Sequence, residues 1–254
     1  MLVALAAVGV TTAVAVSVVG LPMTSTPKAA AVETAPVAPP PSSTTTTTTV
    51  IATPPAPLPL ARGAEGADVL ALQERLVALH YDPATVDGRY GEGNALAVMA
   101  FQKVSGLGRT GVADAATLVA LDSATDPAPL VPAGAPTRVE VDMARQVLFV
   151  WIDGQLTRIL PVSTGTGKRY CENGNCGVAV TPLGDFRAER RIAGLHRSPL
   201  GVLYNPVYFH QGFAIHGSPS IPPYPASHGC VRVPIHSSRW IYDHVPNGTP
   251  IHVV

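Results

Sequence analysis

Along this chain the apolar residues keep one spacing up to Leu121 and another from Val139 onward, which divides the folding sequence into a helical block and a β block. In the first block Val69, Leu72, Leu76 and Leu79 lie three or four apart and form one helical stripe behind a cap at Asp68. A second helix is predicted from near Asn94 through Leu96, Val98, Phe101 and Val104, and a third behind Asp114 through Thr117, Leu118 and Leu121. The run Val86-Asp87-Gly88-Arg89-Tyr90-Gly91 reads as a turn, with Gly88 and Gly91 free to take positive φ. Residues 62–122 are therefore expected to form a small three-helix unit.

After a Pro- and Ala-rich join at residues 123–136 the period becomes two: Val139 and Val141 alternate with Arg138, Glu140 and Asp142. Residues 146–152 and 155–162 flank Asp153-Gly154, a strong signal for a two-residue hairpin turn. Further strands are predicted at 178–180, 186–188, 202–208, 213–215 and 251–254, with one short helix near 237–244. Residues 137–254 thus read as an all-β domain, a sandwich or open barrel. Each block has its own apolar pattern, so two separately folding cores are expected from the 254 residues.

The sequence before Leu60 has no such period. Residues 2–21 are apolar and carry no charge, and twenty helical residues reach roughly 30 Å, enough to cross a bilayer core. Residues 1–22 are read as an export signal or an uncleaved membrane anchor, which places the protein outside the cytoplasm, secreted or membrane-anchored. Residues 23–61 are rich in Pro, Ala, Ser and Thr, including the run from Thr44 to Thr49, and read as an extended tether. Formal net charge is zero, so no electrostatic footprint for nucleic acid exists.

The chain has three cysteines, and in an exported protein an odd number leaves at least one thiol unpaired. Cys171 and Cys176 bracket Glu-Asn-Gly-Asn, a turn-forming sequence that favours a disulfide over two free thiols in an oxidising compartment. Cys230 is then left free, in Ala226-Ser227-His228-Gly229-Cys230-Val231-Arg232, downstream of Ile215-His216-Gly217-Ser218-Pro219. An ordinary cysteine is only about 3% thiolate at pH 7, so a nucleophile needs a neighbouring imidazole to take its proton. His216 and His228 are the candidates, and Gly229 lets the backbone turn so that consecutive N–H groups face a tetrahedral oxyanion. The bland alternative is a packed cysteine beside satisfied histidines, which the clustering argues against. A metal site built from His210, His216, His228, His236 and Cys230 matches no standard zinc spacing, and neither metal nor cofactor is expected.

These residues resemble the YkuD-type L,D-transpeptidase catalytic domain. The resemblance spans about 137–254 and includes Ser163-Thr164-Gly165, Thr181-Pro182-Leu183-Gly184, Tyr204, Ile215-His216-Gly217, Ser227-His228-Gly229-Cys230 and Arg232. It implies that His216 activates Cys230 and is oriented by the Gly217 carbonyl, and that His228 shapes the site. It also assigns Ser227, Arg232 and Tyr204 to substrate binding, with a purely structural, loop-holding role as the alternative for Arg232. The first block, through Leu72-Gln73, Asp87-Gly88-Arg89-Tyr90-Gly91, Ala100-Phe101-Gln102 and Asp114 to Leu118, resembles a peptidoglycan-binding domain. Together these resemblances imply an exported enzyme that makes 3→3 cross-links between peptidoglycan stem peptides. L,D-carboxypeptidase action and an inactive wall-binding protein are the alternatives.

Overall fold

The computed structural model describes residues 58–172 and 174–254. The expected signal or anchor and nearly all of the expected tether lie outside them, and no helix of the described residues is long and apolar enough to cross a membrane. The element order is α1 Ala67–Ala78, α2 Glu92–Val104, α3 Ala115–Asp122, β1 Arg138–Asp142, β2 Val147–Ile152, β3 Gln155–Pro161, β4 Arg169–Glu172, β5 Asn175–Val178, β6 Gly184–Arg187, β7 Arg190–Arg191, β8 Leu195–Ser198, β9 Gly201–His210, β10 Phe213–Ser218, β11 Val231–Pro234, α4 Ile235–His244 and β12 Pro250–Val253.

Helix starts follow local hydrogen bonding. Asp68 is not the first cap: α1 begins one residue earlier behind Gly66, whose φ of 121° suits glycine alone, and Asp68 sits in the first turn near the positive helix end. Helix α2 starts behind Gly91, and Asn94 is its third residue, its Oδ1 accepting from Gly91 N–H at 2.8 Å. Gly91 has a negative φ of −92°, so of the two turn glycines only Gly88, at 72°, uses positive φ. Asp114 does cap α3, accepting from Thr117 N–H at 2.8 Å.

One sheet has the order β3-β2-β1-β12-β6; the other runs β11-β10-β9-β7, with β8 also pairing β9, and β4-β5 is a separate hairpin. Asp153 and Gly154, with φ of 51° and 82°, make the tight β2–β3 turn. The predicted strand at 178–180 is displaced: β5 ends at Val178, and Val178 and Val180 are both half exposed, so neither has a buried face to hold a strand there. Strands β4, β7, β8 and β11 were not legible, being only two to four residues long.

The two sheets enclose one core that includes Val139, Val141, Leu148, Leu160, Val207, Ile215, Val231 and Ile251, closed by Ile241 of α4. The opposite face of β2 and β3 is buried as well. Val147, Phe149, Trp151, Leu156 and Ile159 join Val69, Leu76, Val98 and Phe101 of the helices in a second core. There are two cores, but the helical one is shared with the sheet, because three short helices bury too little apolar surface by themselves. Polar ties reinforce the join: Asp82 receives Arg158 and, at 2.8 Å, the Ser237 hydroxyl.

All five residues of β1 are buried despite the alternating sequence. Glu140, on the face away from the sheet–sheet core, accepts from Arg138 at 2.7 Å, Trp151 Nε1 at 3.0 Å and the N–H groups of Leu130 and Val131. Residues 123–136 are therefore pinned to the sheet through a buried, fully partnered carboxylate.

Candidate active site

The loop that carries Cys230 is shaped by glycine and threaded by hydrogen bonds. Gly229 has φ 133°, and a Cβ there would collide with Phe213 and approach the Val180 carbonyl to 2.9 Å. The Ser227 hydroxyl donates to Cys230 O at 2.6 Å and accepts from Gly229 N–H at 3.0 Å, while Thr181 Oγ1 donates to Gly229 O at 2.7 Å. Ser227 is buried and its hydroxyl is engaged inside the loop, and the residue also lines the cleft that Cys230 lines. The Gly229 N–H is thereby engaged within the loop.

Beyond this loop β11 pairs in parallel with β10, Ile215 beside Val231 and His216 beside Arg232. Ile215 and Val231 enter the core, so by the two-residue period His216, Arg232 and Cys230 belong to the opposite face. Strand β9 has one extra residue opposite His216: Ile215 pairs with Val207 but Gly217 with Tyr204, and Asn205 takes φ 49°. Tyr204 backs Gly217, where a Cβ would lie 2.9 Å from that of Tyr204 and 2.7 Å from Ser238. Among the described residues that line the cleft, Tyr204 does not appear.

The cleft itself has a volume of about 580 Å³, and Cys230, His216, His228 and Arg232 all line it. Cys230 is a free, partly exposed thiol whose Sγ lies 4.0 Å from the Gly212 carbonyl. His216 is 7% exposed, and its Nδ1 lies 2.9 Å from Gly217 O. A carbonyl only accepts, so Nδ1 holds the proton and Nε2 keeps its lone pair. Burial pulls the His216 pKa down to about 4, aided by the Arg232 charge and opposed by the Gly217 hydrogen bond. Burial also pushes the Cys230 thiol up, against the Ala214 backbone and Arg232, which both favour thiolate. Both shifts favour the uncharged forms, thiol and imidazole, of two groups that line one cleft.

His228 faces the β4–β5 hairpin, its ring edge-on to Tyr170 at 4.7 Å and its Nε2 3.2 Å from Glu172. Cys171 and Cys176 are bonded to each other across this hairpin. The other histidines weighed as ligands in the rejected metal reading go elsewhere: His210 lies against Phe186 and Phe213, and His236 beside Asp82. Among the described residues no group of three or more His, Cys, Asp or Glu is placed to hold a metal ion. Residues without a sequence role also enter the site. Arg190 lies 4.1 Å over the Tyr208 ring, and both line the cleft that Cys230 also lines. Neither stands in a recognisable motif. Thr181 and Thr164 do stand in one, but a motif gives no partner, and their roles emerge only from the loop contacts.

Two stretches of the chain match known families. Residues 136–253 match the YkuD family, described as the L,D-transpeptidase catalytic domain, and residues 65–121 match a peptidoglycan binding domain. A solved L,D-transpeptidase from Xylanimonas cellulosilytica is 43% identical, with 80% of this chain and 100% of that one aligned at a TM-score of 0.74. The chain belongs to the L,D-transpeptidase family. An L,D-transpeptidase from Mycobacterium smegmatis is 25% identical over 48% of this chain and 59% of that one, with a TM-score of 0.40. Another from Stackebrandtia nassauensis is 24% identical over 78% and 97%, with a TM-score of 0.43. No curated protein is significantly similar to the chain.

Proposed function

We propose that this protein forms 3→3 cross-links in peptidoglycan through a thioester on Cys230. The observation that carries the reading is a free thiol and a carbonyl-oriented imidazole on the wall of one cleft, in a chain of this family. Cys230 Sγ attacks the carbonyl carbon of the third stem residue as its proton passes to His216 Nε2. Collapse breaks the amide bond, and the departing D-Ala amine takes that proton, leaving the thioester. The amine of a neighbouring stem then attacks, gives a proton to His216, and a new amide forms as the thiol is restored.

Since both shifts favour the uncharged forms, His216 works as a general base during attack instead of half of a standing ion pair. Arg232 lies beside both groups and is read as a contact for the donor peptide. An exported protein is supported by the apolar run at 2–21 and by the Cys171–Cys176 bond, and the helical unit is read as its wall-binding part. Mass spectrometry of muropeptides after incubation with the purified protein tests the reading. Dimers joined between third residues, absent with Cys230→Ala, are the expected products. Tripeptides alone would make the enzyme an L,D-carboxypeptidase, and unchanged stems would overturn enzymatic action.

A further inference from the structure

Lys103 lies in the last turn of α2 and is 2% exposed, yet its amine reaches out of its own unit. Its Nζ donates to the carbonyls of Gln146 and Val162, each at 3.0 Å, on either side of the β2–β3 hairpin. Burying an amine costs several kcal/mol more than burying a methionine of similar length, so added stability does not account for a lysine there. Burial and the Arg109 charge pull its pKa down to about 7, a measure of how far it has left water.

What those two carbonyls support is the floor of the nucleophile loop. Gln146 O also receives Val162 N–H at 2.9 Å, and the Gln146 side chain grips Thr164, donating to Oγ1 at 2.7 Å and accepting its N–H at 2.9 Å. Thr164 O in turn accepts the N–H groups of Ala226 and Ser227, at 2.9 and 2.8 Å. Ser163 exchanges both backbone bonds with Arg232. The Ser227 hydroxyl holds Cys230 O. A continuous set of hydrogen bonds therefore runs from the helical unit to the backbone of the nucleophile. Arg109 adds a second strut, donating to Pro223 O at 3.1 Å in the stretch just before that loop.

We propose that Lys103 is a positioning residue for Cys230, holding the 162–165 segment on which the 226–232 loop is built, and that the helical unit is thereby part of the acyl-transfer site. This rests on the cysteine reading above. Displacing a reacting atom by a fraction of an ångström lowers the chemical rate while leaving ligand capture largely intact.

The test is acylation of the full chain by a carbapenem, whose strained lactam carbonyl is an acyl donor, followed by stopped flow and intact mass. Lys103→Met is compared with Arg75→Ala, which removes bonds to Leu121 O and Ala124 O inside the helical unit and touches no part of the cleft. Well below both melting temperatures, Lys103→Met is expected to slow the first-order acylation step about ten-fold with an unchanged saturation constant. Arg75→Ala is expected to stay within about two-fold despite its own loss of thermal stability. If Lys103→Met does not fold, Thr164→Val, which breaks the same set of bonds one step further on, is expected to show the same loss. A folded Lys103→Met, or in its place Thr164→Val, with the wild-type first-order rate overturns the proposal. No adduct on wild-type Cys230 overturns the cysteine reading and this inference with it.

Discussion

His216 decides the pH behaviour of the site. With its pKa lowered to about 4 against about 6.5 in an unfolded chain, the folded protein binds fewer protons than the unfolded one between those values. Acidification through that window therefore favours unfolding, by on the order of 3 kcal/mol in full, and below it the loss is complete. Urea melts from pH 7 to 4 are expected to show this slope in the wild type and its reduction in His216→Gln. The same lowering predicts an acylation profile whose acid limb has its midpoint near 4, and a midpoint near 6.5 would contradict the buried, neutral imidazole. Cys230 carries a separate expectation. A carbapenem adduct should form on it in the presence of a chelator and vanish in Cys230→Ala. In His216→Ala acylation should be strongly slowed near neutrality, with part of the rate recovered as pH rises toward the thiol pKa.

At the scale of elements, the site hangs on turns that admit few substitutions. Gly229→Ala forces a side chain onto φ 133° and into Phe213, with no room toward Val180 O at 2.9 Å. It should cost about 2 kcal/mol or more in stability and remove nearly all acylation, seen by thermal melts and intact mass. Hairpin β4–β5 bears differently on the cleft, because it closes on itself through Cys171–Cys176 while Tyr170 and Glu172 hold His228. Alkylation without reductant should add one label per chain, on Cys230, and labelling at three positions would show the hairpin to be reduced. So short a disulfide loop contributes only about 2 kcal/mol to stability, which makes its effect on His228 the more informative readout.

At the largest scale, the described residues form helices laid on a sheet that is itself laid on another sheet. Deleting residues 62–121 would uncover Phe149, Trp151, Leu156 and Ile159 and remove the partner of Arg158 and Ser237 at Asp82. The truncated chain is expected to melt far lower and to lose carbapenem acylation along with wall retention. Survival of full acylation would mean that the sheets fold without their helical cover, as the separate apolar patterns of the two blocks first suggest.

Periodicity and turn chemistry are local, and so the sequence by itself determined the helical block, the β block, the Asp153-Gly154 hairpin and the candidate pair Cys230 and His216. These depend on residues within a few positions of one another, or on a motif. What only the tertiary structure decided are the long-range pairings: Lys103 beneath Val162, Asp82 on Ser237, Glu140 buried under the join, Ser227 turned into its own loop. The alternation in β1 leaves Arg138 and Glu140 on the face away from the sheet–sheet core, and that face is not wet because the join at Leu130 and Val131, together with Trp151, covers it. Nothing in the spacing of a strand records which distant element will lie across it, and there the physics of burial, not of local conformation, assigns each polar group its partner.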